Sequence, residues 1–371
     1  MGFRQVINQE QAKEFLKSSI SLSRVANGYL FHGPRGVGKS TTALAFAQGL
    51  NCEVEDPEGC GVCTSCRKIA RFSHPDVTFV FPTSSKNEYE EISRTLKERS
   101  EDELFVHAFP HSASIKIRTI QDLRMSLASG VREGKRRVII LAYAERMTQD
   151  ASNCLLRMLE EPPTGITFVL TAPSRHRLLP TIVSRCQAVR FVPLAAKEIE
   201  GVLLDKGVAT PSEARIVARL SDGSLSTALD LAEQDVVEYR EESLEYLSKI
   251  GTREPTEILE VAEGLAASRD REQVRRFVRL SLLWLRDVLL VKYGAREADV
   301  ANQDMMEALR AEASAIELAE LRKRIDILDE IVSSMERHVD LSLLLSSSFL
   351  RLAGIVEEPR QPLGTERQIN G

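Results

Sequence analysis

Residues 28–41 read GYLFHGPRGVGKST, and this stretch decides the fold of the first part of the chain. An apolar segment predicts a buried strand, the next eight residues match the P-loop pattern in full, and an alanine-rich helical pattern follows. Glycines let backbone N–H groups surround phosphates, and the start of the helix favours negative charge. The sequence therefore predicts a nucleotide-binding α/β domain whose phosphate site consists of Gly33, Pro34, Arg35, Gly36, Val37, Gly38, Lys39, Ser40 and Thr41. Within it, Lys39 is expected to reach the β- and γ-phosphates and Ser40 to contact Mg²⁺.

The strand that should complete a catalytic site lacks its acidic residues. A P-loop ATPase needs one carboxylate for Mg²⁺ and a second residue that orients water, both just after another buried strand. Here the strand at 138–141 runs into Ala142 and Tyr143. Glu145 lies three positions past the expected metal ligand, so it is expected to serve only if the strand slips in register, which a buried strand resists. These residues predict nucleotide binding without turnover.

Composition indicates an ordinary intracellular protein with more than one domain. The chain has 371 residues and a net charge of −5, enough length for two or three cores and no global attraction for nucleic acid. No apolar run approaches the roughly 20 residues that span a bilayer, and the first residues lack a signal-peptide core, so a cytoplasmic location is expected. One local basic cluster is a candidate DNA contact, although a solvated loop is the preferred interpretation. It consists of Arg132, Lys135, Arg136 and Arg137.

Four of the six cysteines are grouped, at Cys52, Cys60, Cys63 and Cys66. In an intracellular chain this spacing favours a metal over disulfides. Two overlapping C-x-x-C steps bring three thiolates together, and the fourth can close a tetrahedron around Zn²⁺. A ferredoxin-type iron–sulfur cluster would need a further cysteine and a proline where Ala70 and Arg71 stand. The pattern predicts a closed, structural zinc site, with four reduced thiols as the alternative.

Strand and helix patterns alternate through the first half of the chain, which predicts a mainly parallel sheet covered by helices on both faces. A helix is predicted from about Gln149, after a capping Thr148, to Glu161, before two prolines. Residues 83–114 are polar and are predicted to form an insertion with a solvated helix around 88–101. The predicted strands are 28–32, 76–81, 137–141, 167–171 and 189–192.

Strand patterns disappear after residue 193. Short helices are predicted at 195–206 and 211–220, and the chain from about 238 to 355 is predicted to be helical with long apolar stripes. One stripe is interpreted as the core of a helical bundle and not as a cofactor pocket. Its residues are Phe277, Leu280, Leu283, Trp284, Leu285 and Leu289.

Several motifs together resemble bacterial DNA polymerase III clamp-loader subunits of the AAA+ class. They are the P-loop, the grouped cysteines, the run NCLLRMLEEPP at 153–163 and the triplet Ser184-Arg185-Cys186. The resemblance covers about residues 1–235, and the helical remainder matches the family's collar domain in length and character. It implies an AAA+ domain at 1–193 with a zinc module at 52–66, a helical lid at 194–236 and a helical collar for oligomerisation at 237–356. From residue 357 on, polar residues and prolines predict a disordered tail at 357–371.

Two departures from the family pattern point to its non-hydrolysing, delta prime branch. The motor members, gamma and tau, carry an Asp-Glu pair where this chain has Ala142 and Tyr143. They also carry an arginine that senses the γ-phosphate in a later Gly-Ser motif, where the run Gly223–Ser226 places a serine. The resemblance therefore implies assembly with gamma/tau and delta subunits, action on the sliding clamp and primed DNA through that complex, and ATP or ADP held without hydrolysis.

The resemblance further implies that Arg185 is an arginine finger offered in trans to a neighbouring ATPase subunit. A guanidinium is always charged and planar, so it can meet the charge on a transferring phosphoryl group with two parallel hydrogen bonds. The alternative is an arginine that caps the negative end of its own short helix. Two other readings of the chain stay open: a gamma-like ATPase with a rearranged metal site that uses Glu145 or Glu160, and a zinc-bearing DNA-binding module with a vestigial nucleotide domain.

Overall fold

The structure is a computed structural model that describes residues 2–84, 88–101, 112–127, 130–162, 164–251, 254–267, 271–335 and 339–356. The chain divides into two compact units, Met1–Val202 with Ser221–Asp230, and Leu203–Leu220 with Leu231–Gly371. The disordered tail predicted at 357–371 lies outside the described residues, and the three-way division into nucleotide domain, lid and collar stays a prediction. Among the described helices, none is long and apolar enough to cross a membrane.

A five-stranded, wholly parallel sheet forms the centre of the first unit, in the order β2-β3-β4-β1-β5. This confirms the predicted α/β class. Strands β1 and β3 have the predicted limits, whereas the other three differ by one or two residues at each end. The strands are β1 (Gly28–His32), β2 (Val77–Val80), β3 (Arg137–Leu141), β4 (Ile166–Ala172) and β5 (Gln187–Arg190).

Helices account for most of the remaining described residues. In the first unit they are α1 (Glu10–Ser21), α2 (Lys39–Asn51), α3 (Thr64–Ala70), α4 (Glu88–Glu101), α5 (Ile117–Leu127), α6 (Gln149–Glu160) and α7 (Pro180–Val183). Two helices cross the division between the units, α8 (Ala196–Asp205) and α10 (Leu225–Ala232). The second unit contains α9 (Pro211–Leu220), α11 (Val236–Gly251), α12 (Pro255–Ala267), α13 (Arg271–Lys292), α14 (Met306–Ala315), α15 (Leu318–Met335) and α16 (Leu341–Leu352).

The sheet of the first unit is covered on both faces because its strands alternate their side chains between two cores. In β3, Val138 and Ile140 join a core with α1 and α2, while Ile139 and Leu141 join a core with α5 and α6. Helix α6 begins after Thr148, whose hydroxyl accepts a hydrogen bond from the Ala151 N–H. The period of two along the strands and the predicted cap of α6 therefore hold in the structure.

Strand β5 ends two residues earlier than predicted because its partner ends. Strand β1 stops at His32, which pairs with Arg190, and the chain then turns into the P-loop. The backbone of Val192 bonds instead to the Gln9 side chain, which donates to the Val192 carbonyl at 2.7 Å and accepts from its N–H at 3.0 Å. A side-chain amide thus replaces the missing strand partner.

The predicted insertion at 83–114 is closed at its base by a backbone bridge. Thr83 and Ser114 exchange two hydrogen bonds of 3.2 and 3.1 Å in antiparallel sense. Helix α4 has the predicted limits, but the prediction that it is solvated was wrong for one face. That face packs against the sheet, with the Arg99 guanidinium 4.7 Å from the centre of the Phe79 ring. The described part of the insertion is therefore attached to the strand β2 side of the sheet.

The second unit, from its described residues, is an all-helical body with one apolar core. Phe277, Trp284 and Leu285 of α13 belong to this core, which also takes in Phe349 of α16. The rings of Phe277 and Phe349 meet edge to face at 5.6 Å. Of the predicted stripe on α13, these three residues are therefore bundle core, Leu289 packs against that core, and Leu280 and Leu283 are buried.

Candidate nucleotide and metal sites

The P-loop connects β1 to α2, and its backbone requires glycine at particular positions. Gly33 has φ +150°, and a Cβ there would lie 2.3 Å from the Phe191 carbonyl oxygen. Gly36 has φ +71°, and a Cβ there would lie 2.1 Å from Ser224 Oγ. Gly38 has φ +91°, yet a Cβ there meets nothing within 4 Å. The loop is therefore packed on the protein side and open at Gly38, as a phosphate cradle requires.

Lys39 points its ammonium group back into this loop. The group donates hydrogen bonds to the carbonyl oxygens of Gly33, at 2.7 Å, and of Pro34. Only 9% of the residue is exposed, and burial lowers the pKa of Lys39 to about 8, with Glu145 opposing that shift. Ser40 lies beside Lys39 in the first turn of α2. Lysine, hydroxyl and open loop fit a nucleotide polyphosphate.

Ala142 and Tyr143 follow β3 at the place where a metal ligand and a water-orienting residue would stand. Ala142 is fully buried, and its N–H donates to the Val80 carbonyl at 2.8 Å. Tyr143 has the left-handed φ of +56°, and its N–H donates to Thr171 Oγ1 at 3.2 Å. Neither side chain offers a carboxylate at this point.

Glu145 reaches the P-loop without any slip of strand register, contrary to expectation. Strand β3 keeps its predicted limits, and the left-handed Tyr143 leads into a 3₁₀ turn over Ala144–Arg146. This turn brings Glu145 Oε1 to 3.5 Å from Arg35 Nη2. The expectation that Glu145 needs a slip in strand register to approach the P-loop was therefore wrong, because a turn after the strand redirects the side chain without moving the strand.

The Gly-Ser motif predicted to replace a γ-phosphate sensor lies against the same loop. The Leu225 N–H donates to the Gly36 carbonyl at 3.0 Å. Ser224 Oγ accepts from the Thr227 N–H at 3.2 Å and lies 3.1 Å from Ser226 Oγ. The hydroxyl groups of Ser224 and Ser226 therefore stand beside the P-loop.

The four grouped cysteines converge at the end of α2 and the start of α3. Their sulfur atoms all lie within 4.8 Å of one another, and the sulfurs of Cys60 and Cys66 are 4.0 Å apart. Zn–S bonds of about 2.3 Å place the sulfurs of a tetrahedral site about 3.8 Å apart, so a contraction of about 1 Å or less would suffice. Four cysteines with this spacing fit a metal, and neither of the other two cysteines joins this group.

Arg185 lies at the edge of the sheet opposite the chain's own P-loop. A Cβ built on Gly28, the first residue of β1, would lie 3.3 Å from the Arg185 carbonyl oxygen. The P-loop follows the last residue of β1, and a five-residue strand separates the two edges by roughly 13–16 Å. The guanidinium donates to the Thr181 carbonyl at 3.0 Å and forms a 2.8 Å ion pair with Glu160.

Glu160 is therefore held at the edge away from the P-loop. Its neighbour Leu159 also packs at the start of β1, with Cδ2 3.3 Å from a Cβ built on Gly28. A metal on this chain's P-loop is out of its reach. Of the two carboxylates considered for a rearranged metal site, the structure brings only Glu145 to the loop.

The candidate DNA patch is not assembled, because its loop is folded around buried polar side chains. Asp76 is fully buried and accepts hydrogen bonds from the three N–H groups of 132–134 at 2.7–2.8 Å. Arg137 is 3% exposed and donates to the Ser126 carbonyl at 2.8 Å. Arg136 donates to Thr167 Oγ1. Two of the four basic side chains thus point into the protein.

Gln9 belongs to the site but gave no signal in the sequence. It is 3% exposed, has a left-handed φ of +62°, and donates to the Val37 carbonyl of the P-loop at 3.4 Å. Its partners are 28 and 183 residues away along the chain. A single polar residue in a polar segment cannot reveal such contacts.

Comparison with known proteins gives a family match across the first unit. Residues 8–195 match the model of the family described as DNA polymerase III, delta subunit. The chain is 29% identical to DNA polymerase III subunit delta' of Bacillus subtilis over 315 residues, covering 82% of this chain and 84% of that protein. It is 32% identical to subunit delta' of Pseudomonas aeruginosa over 231 residues, covering 61% of each.

A tau subunit also matches, over a shorter share of its length. The chain is 30% identical over 240 residues to DNA polymerase III subunit tau of Salmonella typhimurium, which covers 63% of this chain and 33% of that protein. The chain thus spans only about a third of tau but most of the Bacillus subtilis delta' protein. The family model covers just over half of the chain, and the resemblance seen in the sequence motifs is confirmed. The chain therefore belongs to the DNA polymerase III, delta subunit family.

Proposed function

We propose that this chain is a delta prime-type subunit of the bacterial clamp loader, which works in the cytoplasm and holds ATP or ADP without hydrolysing it. The replacement of the acidic pair by Ala142 and Tyr143 beside an intact P-loop carries this proposal. Its partners would be the gamma/tau and delta subunits, and through them the sliding clamp and primed DNA. The delta' relatives support this assignment. Cys52, Cys60, Cys63 and Cys66 would hold one structural Zn²⁺.

A phosphate-release assay on the isolated chain tests the absence of turnover. Without a carboxylate at the end of β3, the site lacks the usual ligand for Mg²⁺ and the usual residue that orients the attacking water. Phosphate release is expected to equal the buffer rate. Steady hydrolysis that disappears in Lys39→Ala would favour the gamma-like ATPase instead, with Glu145 as its acidic residue.

Arg185 would act on the site of a neighbouring subunit. Its position at the opposite edge of the sheet supports action in trans, since it cannot reach the P-loop of its own chain. Its ion pair with Glu160 is no obstacle, because the two side chains are 36% and 41% exposed and such pairs contribute only about 0–1 kcal/mol. An arginine finger raises the rate by about 10³- to 10⁵-fold, a larger free-energy effect than the cost of breaking that ion pair.

Reconstitution of the ring with Arg185 variants tests the finger. Arg185→Ala should leave zinc content and assembly unchanged and lower the DNA-stimulated ATPase of the ring, though by less than a single finger is worth where several sites contribute. Arg185→Lys should be nearly as poor, because a point charge does not reproduce the planar fork. Glu160→Gln is the matched control, which removes the partner but keeps the finger, and should retain ATPase activity.

The helix-cap alternative predicts a different pattern. A capping role would cost under about 1 kcal/mol of stability, Lys would serve almost as well as Arg, and the ring's ATPase would not change. Normal ATPase activity of the Arg185→Ala ring at matched assembly would therefore overturn the finger.

A further inference from the structure

Glu145 is a buried carboxylate whose oxygens have no hydrogen-bond donor among the described residues. Its side chain is 8% exposed, and both Oε1 and Oε2 are inaccessible and unpartnered by hydrogen bonds. The turn that carries it is fixed, because the Ile115 N–H donates to the Arg146 carbonyl at 3.0 Å and the Thr148 N–H to the Ile115 carbonyl at 3.0 Å. A buried carboxylate without donors is costly, so its retention at this place calls for a ligand.

The charges facing Glu145 belong to the P-loop. Arg35 Nη2 is 3.5 Å from Oε1, a contact of charges without hydrogen-bond geometry. Lys39 is near enough for the carboxylate to raise its pKa against the effect of burial, yet its ammonium donates to the loop carbonyls and not to Glu145. Both carboxylate oxygens thus face the charges of the P-loop and lack a hydrogen-bond donor within the described part of the chain.

A bare polyphosphate would be repelled by a buried carboxylate at this position. A divalent cation between the two reverses the sign of the interaction, and Mg²⁺ prefers carboxylate and phosphate oxygens together with water. Ser40 of α2 supplies the hydroxyl that usually shares this metal.

We propose that Glu145 is the acidic residue of this nucleotide site, which receives Mg²⁺ or one of its bound waters when the P-loop holds ADP or ATP. This inference rests on the proposed nucleotide binding and adds the residue that makes it dependent on magnesium. Glu145 thereby replaces the carboxylate missing at Ala142, from a turn and not from the strand end. It requires no hydrolysis.

Calorimetric titration of the full chain with ADP, in Mg²⁺ and in EDTA, tests the assignment. Wild-type protein should bind ADP more tightly in Mg²⁺. Glu145→Gln should lose about tenfold to a hundredfold of that enhancement, while its affinity in EDTA is unchanged or higher because the repulsion is gone. Glu145→Asp should retain part of the enhancement, and serves also if the glutamine variant folds poorly. Asp150→Asn removes an exposed carboxylate of α6 and is the matched control.

Three results would overturn the assignment, and they are distinguishable. An unchanged ratio of affinities in Glu145→Gln would place the metal ligand elsewhere. Equal tightening in Mg²⁺ and in EDTA would show that Glu145 is an internal competitor for Arg35 and Lys39. Failure of the wild-type chain to bind ADP in either buffer would reject nucleotide binding itself, and with it the role of Glu145.

Discussion

The same substitution to alanine should have different main effects at two glycines of the P-loop, Gly36 and Gly38. At Gly36, alanine would place its Cβ 2.1 Å from Ser224 Oγ, 2.3 Å from Ser226 Oγ and 3.0 Å from the Ser226 nitrogen. At Gly38, alanine would meet nothing within 4 Å. Both positions have positive φ, of +71° and +91°. The backbone strain is thus comparable, and the surroundings differ.

The magnitudes follow from these contacts. Positive φ costs an alanine about 1–2 kcal/mol at either position. Gly36→Ala must also push aside Ser224, whose hydroxyl caps the Thr227 N–H at 3.2 Å, a loss of about 1 kcal/mol. It further disturbs the hydrogen bond from the Leu225 N–H to the Gly36 carbonyl. We expect a loss of about 2–4 kcal/mol for Gly36→Ala and about 1–2 kcal/mol for Gly38→Ala.

The main effect of Gly38→Ala should be on nucleotide binding and not on stability. The Cβ of Gly38→Ala projects into the space where phosphates are expected, so this variant should fold but lose most of its ADP affinity. Urea unfolding would measure the first effect and calorimetry with ADP the second. The reasoning is refuted if Gly38→Ala binds ADP like the wild type, or if it unfolds as readily as Gly36→Ala.

Two further predictions concern the metal and the P-loop lysine. Elemental analysis should find one zinc per chain. Cys63→Ala should lose the zinc and destabilise the first unit, whereas the control Cys154→Ala should keep both. A metal-free chain that folds and assembles equally well would contradict the structural role. Since burial lowers the pKa of Lys39 to about 8, the empty site loses its charge as pH rises through that value, whereas bound phosphates keep the lysine protonated. ADP affinity should therefore fall about tenfold between pH 7 and pH 9. Lys39→Arg, which stays charged, should show little of this dependence of affinity on pH. An equal dependence in both proteins would assign it to another group.

The elements that sequence predicted well are those with local causes. Strands β1 and β3 have the predicted limits because continuous apolar runs mark buried parallel strands. Helix α6 begins after Thr148 and ends before two prolines, both of which are local signals. The cysteine cluster was predictable for the same reason, since its four residues lie within 15 positions, at 52–66. The family motifs depend on the same short spacings.

The limits of β5 and the fate of the basic cluster depended on partners distant in the chain. Strand β5 stops at Arg190 because β1 turns away, and Gln9 then satisfies Val192. Asp76 draws in the backbone of 132–134, which turns the candidate DNA patch into a structural loop. Residue spacing along the sequence does not predict such contacts between distant residues.

The sequence by itself determined that this chain has a P-loop, a parallel sheet, a cysteine cluster and no acidic pair after β3. Only the tertiary structure decided which charged residues meet. It brought Glu145 to Arg35, 110 positions away in the numbering, and it placed Arg185 at the opposite edge of the sheet from the loop. The physical reason is that side-chain periodicity and caps act within a few residues, whereas the direction of a side chain after a strand depends on the turn and on the packing of the whole sheet.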